Sequence, residues 1–340
     1  MARPLKVAVL GATGAVGTTL VQVLEEHDFP VESLRLLASE RSEGAEIEFR
    51  GDGLTVQAVK DGAFDGCDLA FLAAPEGVAR EWAPRARAAG CAVVDVSPAF
   101  RLDADVPLVV PEVNPQDVDL WKARGIVASP GPSAVLLAVA LKPLHDAAGL
   151  EHVAVTVLAS VSSAGQAAIE QLEREGQDLM NGREPEPGTA LPWRIAFNLV
   201  PQAGAFGPDG RAGEEAAVAA EARRLLKDPE LRLSATVVRV PLFYGHSATA
   251  TIRTRRPLGP DAAREVLRAA PGVKVVDDPP EKVYPMPMLA VNDDAVLVGR
   301  IRADGSEENG LALFAVLDNL RKGAASNAVQ IARLLAERHL

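Results

Sequence analysis

The chain has 340 residues, 48% hydrophobic and 24% charged, a composition that excludes disorder and collagen-like or low-complexity architecture, and a length that suggests two domains or one large one. Its formal net charge of −11 argues against a non-specific polyanion binder, so nucleic acid is not an expected partner. Cys67 and Cys91 are the only cysteines, too few for a disulfide framework or a thiolate zinc site, and no metal site is expected.

The first residues, Met1 to Lys6, lead directly into an apolar run with no secretory pattern, and no apolar stretch reaches the length of a membrane span. A cytoplasmic protein that does not enter membranes is the expectation. Leu5 to Leu10, the turn Gly11-Ala12-Thr13-Gly14-Ala15-Val16-Gly17 and Thr18 to His27 read as buried strand, glycine turn and helix. Further strands are expected at Val31 to Ala38, Asp68 to Ala73 and Cys91 to Val96, with a helix at Val78 to Ala89. Such alternation predicts a parallel, doubly wound sheet.

After Pro111 the rhythm changes. A helix is expected from about Ala134 to Ala148, a strand at Val153 to Leu158, and a proline-rich excursion from Gly176 to Pro192. Then come a helix from about Glu214 to Lys227, a β-rich region from Leu233 to Arg253, a helix from Pro260 to Ala269, and strands near Ala295 to Arg302 and Leu311 to Leu317. The segregation of strands and helices suggests an α+β second domain. A last helix is expected at Gly323 to Arg338.

Gly11, Gly14 and Gly17 stand where helix amides can hold a pyrophosphate that no side chain obstructs. At the end of the second strand the sequence is Ser39-Glu40-Arg41-Ser42. Arg41 between two hydroxyls favours the 2′-phosphate of NADP, while Glu40 keeps NAD open. Three polar residues stand in apolar or turn surroundings: Arg101, Arg239 and His246. Each is a candidate for chemistry, although by composition alone a structural hydrogen bond or ion pair is the commoner role of such residues.

Several segments together resemble aspartate-semialdehyde dehydrogenase. They are Ser97 to Asn114, Val127 to Leu150, Arg239-Val240-Pro241 with Gly245-His246-Ser247, Pro285-Met286-Pro287, Val298 to Arg302 and Asp318 to Ala325, in the family's order along nearly the whole chain. The resemblance implies a Rossmann-type dinucleotide-binding domain at 1–131, an α+β substrate and dimerisation domain at 132–318, and a C-terminal helix at 319–340 that returns to the first domain. It implies NADP as cofactor, a homodimer, a small acidic metabolite as substrate, and a step of amino-acid biosynthesis: the reductive dephosphorylation of aspartyl phosphate to the semialdehyde. By the same resemblance His246 holds the acid/base position, Arg239 the carboxylate clamp, Glu214 the substrate-amine position and Arg101 a phosphate position.

The family's reaction uses a thiolate that attacks the aldehyde, and here the sequence departs. Where the family has Asn-Cys-Ser-Thr, this chain has Gly131, Pro132, Ser133 and Ala134. Pro132 stands at the nucleophile position, Ala159 at the position of an orienting Gln, and Ala217 at that of a phosphate-binding Lys. Proline suits the first turn of a helix, so the helix can form without the chemistry it supported. Ser133 offers only an unactivated hydroxyl, with no second general base visible in the sequence. The expectation is a pseudoenzyme that keeps the fold and cofactor site. The alternatives are an active NADP-dependent oxidoreductase that transfers hydride without a covalent intermediate, and a regulatory subunit of an active dehydrogenase.

Overall fold

A computed structural model describes residues 3–340, which fall into two compact units. One comprises the described residues up to Gly131 together with Gly323–Leu340, the other Pro132–Lys322.

The first unit is built on strand β1 (Leu5–Leu10), helix α1 (Ala15–Glu26), β2 (Val31–Ala38), a β3–β4 hairpin (Glu46–Phe49, Asp52–Thr55), β5 (Gln57–Ala58), β6 (Leu69–Leu72), α2 (Glu76–Ala88), β7 (Ala92–Asp95) and β8 (Ile126–Ala128). Its sheet has strand order β5-β2-β1-β6-β7-β8, and every pairing is parallel. Strand order therefore reverses beside β1, where open sheets of this kind bind ligands. β6 and β7 are buried along their whole length, as expected of parallel strands covered on both faces. Leu5, Val7 and Val9 pack with Leu20, Val21 and Leu24 of α1 and with Val329, Ile331 and Leu335 of the C-terminal helix Ser326–Arg338. Each fully buried side chain of this size contributes roughly 1.5 to 3 kcal/mol.

In the second unit α3 (Pro132–Ala148), β9 (Leu150–Ala159), α4 (Gln166–Met180), α5 (Gly213–Leu226), β10 (Arg232–Arg239), β11 (His246–Thr254), α6 (Pro260–Arg268), β12 (Val273–Val275), α7 (Pro287–Ala290), β13 (Val296–Ala303) and β14 (Gly310–Leu317) follow one another. They form a mixed sheet of order β10-β9-β11-β14-β13-β12. Here burial alternates. In β11, Ala248, Ala250 and Ile252 are buried, while Thr249 is exposed and Thr251 half-buried, the pattern of a sheet covered on one face. A cleft of about 400 Å³ lined by Thr249, Tyr284, Arg300 and Phe314 opens on the side that Thr249 faces.

Three expectations need correction. Gly176–Met180 is not part of an excursion but the last turn of α4, whose Gln171 and Glu175 lie one turn apart and are both buried. Gln171 Oε1 accepts the Ala190 and Leu191 N–H groups, and Glu175 Oε2 accepts those of Ile195 and Ala196. The irregular chain beyond the helix is thus satisfied by side chains instead of a ladder. The α-helix expected from Gly323 begins at Ser326, after a π turn at Arg321–Ala325. The helix expected from Ala134 begins at Pro132, because proline's fixed φ and missing N–H cost nothing at a first helical position.

Candidate functional site

In the first unit the glycine turn is shaped by steric necessity. Gly11 has φ +88°, and a Cβ there would lie 2.3 Å from the Ala73 carbonyl oxygen. At Gly17 a Cβ would lie 2.0 Å from the Gly11 oxygen. The Gly11 and Ala12 amides both donate to Leu37 O, which ties the turn to the end of β2. Gly14 caps α1 without a side-chain bond, and the first turn, Ala15, Val16 and Gly17, carries no acidic residue. Exposed amides without a competing anion are what a pyrophosphate requires, so this chain's residues fit a dinucleotide. Thr13 Oγ1 donates to Ser42 Oγ at 3.3 Å, joining the turn to the short helix Glu40–Ser42. Ser39 and Arg41 are exposed beside it, available to a ligand phosphate.

Arg101, half-buried in the same unit, donates from Nε to Ser129 O and from Nη2 to Val96 O. Close by in sequence is a residue that sequence reasoning missed. Asp95 ends β7 fully buried, accepting the Ser97 amide and hydroxyl at 3.1 and 2.9 Å. Burial pushes its carboxyl up to about 6, against the opposing pull of those hydrogen bonds.

The second unit gathers its candidates at one end of its sheet. Ala159 ends β9 in register with Arg239, which ends β10. His246 begins β11, the strand that pairs with β9 on its other side. Arg239 is mostly buried, donates from Nη1 to Ser163 Oγ at 2.9 Å, and lies 3.7 Å from Glu214 Oε2. Burial pulls its guanidinium pKa down, and Glu214 partly opposes this. The other Glu214 oxygen accepts the Ser133 hydroxyl at 3.0 Å. The structure thus gives Ser133 a carboxylate acceptor that the sequence did not reveal, although that carboxylate is shared with Arg239. Ala217 lies one turn beyond Glu214 on α5. Pro132 is the first residue of α3.

His246 is wholly buried. Its Nδ1 accepts the Ser160 amide at 3.2 Å and lies 3.1 Å from Ser160 Oγ. Burial, reinforced by the Arg239 charge, pulls its pKa down to about 3. Nε2 has no hydrogen-bond partner among the described residues. A buried polar atom without a partner costs about 1 to 3 kcal/mol. Behind it Asn319 Oδ1 accepts the Gly245 amide at 2.9 Å, and Nδ2 donates to Ser162 Oγ at 2.9 Å. For the serines of this group the signal in the sequence was the run of hydroxyls Ser160, Ser162 and Ser163 following an apolar strand.

Cys67 and Cys91 belong to the first unit and are both buried. The Cys91 thiol donates to Cys67 O at 3.2 Å, and burial pushes it up to about 12. Neither is an activated thiolate. Among the described residues no group of His, Cys, Asp or Glu is arranged to hold a metal ion, and no helix is long and apolar enough to cross a membrane.

The family model for the NAD binding domain of semialdehyde dehydrogenase matches residues 6–121, and that for the semialdehyde dehydrogenase dimerisation domain matches residues 141–322. Aspartate-semialdehyde dehydrogenase of Aquifex aeolicus is 47% identical over 98% of this chain and 99% of its own. Among solved structures, aspartate semialdehyde dehydrogenase II of Vibrio cholerae complexed with ASA superposes with a TM-score of 0.97 at 41% identity, covering 99% of this chain and 100% of that one. The Candida albicans enzyme with NADP gives 0.75 at 26% identity, covering 98% of each chain. With a nucleotide-binding turn in one unit, an Arg–Glu–His constellation at one sheet end in the other, and relatives matched along almost its entire length, the chain belongs to the aspartate-semialdehyde dehydrogenase family.

Proposed function

We propose that this protein binds NADP and a small acidic metabolite, assembles as a cytoplasmic homodimer, and has lost the thiol-dependent reaction of its family. The observation that carries the reading is Pro132 at the first position of α3. A proline can neither attack a carbonyl nor be activated to do so. Both cysteines are buried and un-ionised in the nucleotide-binding unit. Two further polar functions are absent where the family resemblance expects them: Ala159 and Ala217 carry methyl groups.

The remaining residues suit binding. Gly11 to Gly17 with Ser39, Arg41 and Ser42 would hold the dinucleotide, which supplies hydride chemistry when bound. Arg239 is the cation for a ligand carboxylate, Glu214 the anion for an amine, and Arg101 a cation for phosphate. The homodimer is supported by the match to a dimerisation-domain model and by exposed Leu242, Phe243, Tyr244 and Met288, an apolar surface of the kind a second copy covers.

The first alternative, hydride transfer with His246 as acid/base, has burial against it, which disfavours the charged ring. Phosphate-dependent NADPH formation from aspartate semialdehyde tests the proposal on the unmodified protein, and no rate above background is expected. Activity that survives repurification and is abolished by His246→Ala would overturn it. Co-purification with an active dehydrogenase would instead identify a regulatory subunit.

A further inference from the structure

We propose that Asn319, Ser162 and Ser160 form a one-way chain of hydrogen bonds that holds His246 in its Nε2–H tautomer, so that the ring is a fixed hydrogen-bond donor to a ligand oxygen and not a proton shuttle. The inference rests on His246 being a retained site residue, and its readout does not depend on turnover.

The direction of the chain is set by groups that can only donate. The Gly245 amide meets Asn319 at 2.9 Å, so the atom facing it is the side-chain oxygen and not the amide nitrogen. The Asn319 Nδ2 group must then donate to Ser162 Oγ, 2.9 Å away. Ser162 directs its own proton to Ser160 Oγ at 3.1 Å, nearer than Asn319 Oδ1 at 3.3 Å. Ser160 in turn directs its proton to His246 Nδ1 at 3.1 Å. At the far end the Ser160 backbone amide, also an obligatory donor, meets the same nitrogen at 3.2 Å. Nδ1 therefore carries a lone pair, and the neutral ring bears its proton on Nε2.

The opposite arrangement can also be drawn. Ser160 Oγ lies 3.0 Å from Asn319 Oδ1 and could donate there, leaving its lone pairs to accept a proton from Nδ1. That choice would set two N–H groups, from Ser160 and from the ring, against each other inside the protein, leaving a buried amide unmet. Asn319, Ser160 and Ser162 are nearly or wholly inaccessible, so water does not relieve the conflict. Arg239 is the charged group acting on the ring, and its sign also disfavours a second proton.

For such a ring to give up the Nε2 proton, Nδ1 would have to gain one at the same time. Its neighbours there are an amide and a serine hydroxyl, neither of which is an acid of useful strength. What remains is a donor suited to a carbonyl or carboxylate oxygen. Asn319, Ser160 and Ser162 are positioning residues in this arrangement, because they act through His246.

Ring nitrogen–proton correlation spectra of the full-length, 15N-labelled protein read the tautomer directly, and His246→Gln identifies the His246 signals by their loss among the 5 histidines. The wild-type ring is expected to be neutral and protonated at Nε2 at neutral pH; a ring protonated mainly at Nδ1, or exchanging between tautomers, overturns the proposal. Ser160→Ala keeps the backbone amide, so the Nε2–H form should persist, and its reversal would equally overturn the assignment. Ser162→Ala frees the Ser160 hydroxyl to turn to Asn319, which removes one of the two donors to Nδ1 while the amide remains, and a shift of the Nδ1 resonance with the proton still on Nε2 is expected. Asn319→Asp removes the first donor of the chain and should act in the same direction. An unchanged ring spectrum in Ser162→Ala, or in Asn319→Asp where Ser162→Ala does not fold, sinks the positioning role.

Discussion

In the nucleotide-binding unit the features that fit a ligand are shapes of the backbone, whereas in the second unit they are side chains drawn from distant segments. Gly11 and Gly17 are required by carbonyl oxygens 2.3 and 2.0 Å from where a Cβ would stand. Arg239, Glu214 and His246 are instead held by hydroxyls of Ser163, Ser133 and Ser160. Each unit also buries an ionisable group whose pKa shift runs the opposite way to the other's: Asp95 is raised and His246 lowered. A backbone site tolerates almost no substitution but is indifferent to proton activity. A side-chain site can exchange a member while its architecture stands.

The largest expected effect would break the backbone side of this comparison. Gly17→Ala should destabilise the first unit by about 3 kcal/mol, because the obstructing atom is backbone and cannot swing aside. Denaturant unfolding checks the stability, and calorimetry should find NADP affinity reduced by about tenfold or more. An alanine variant with wild-type stability would show that the turn is looser than its geometry implies.

Next in size is the response to pH. Asp95 favours the folded state fully below the ordinary carboxyl value of 3.8, and this contribution is lost as pH rises through about 6, a loss of about 3 kcal/mol by neutrality. For His246 the contribution is complete above 6.5 and declines as pH falls toward about 3, by about 2 kcal/mol at pH 5. Acidification should thus favour one unit and penalise the other. Hydrogen exchange of core amides against pH reads the two separately. Asp95→Asn should flatten only the first trend and His246→Gln only the second, and parallel slopes in both variants would remove the contrast.

The smallest effect sharpens the cofactor assignment. A charge-assisted contact from Arg41 is worth about 1.5 to 3 kcal/mol, roughly a tenfold to hundredfold preference for NADP over NAD. Arg41→Ala should erase that preference in calorimetry, and equal wild-type affinities would dismiss it.

Much of the first unit was legible because its signals are local. The strand Leu5–Leu10, the glycine turn and α1 are contiguous, and their periodicities are unambiguous. The β3–β4 hairpin and α4 were harder: the hairpin strands are short and half-exposed, and α4 is strongly polar, with buried Gln171 and Glu175 where apolar residues would be looked for. In the second unit Arg239 and His246 stood out as polar residues in β surroundings. Asn319 did not, because its role depends on a partner 159 residues away in sequence. Asp95 was hidden by its exact fit into a strand end, where only burial distinguishes it from a turn carboxylate.

Pro132 is the first residue of α3, a position that suits proline, and that fit has a hereditary side. No proline codon becomes a cysteine codon by a single base change; the shortest routes pass through serine or arginine. Serine would surrender the locked φ of the helix start, and arginine would bring a charge to it. Neither intermediate supplies a thiol. A thiol at position 132 therefore lies beyond a step that weakens the helix start without supplying one, so a preference for a well-formed α3 by itself favours the proline.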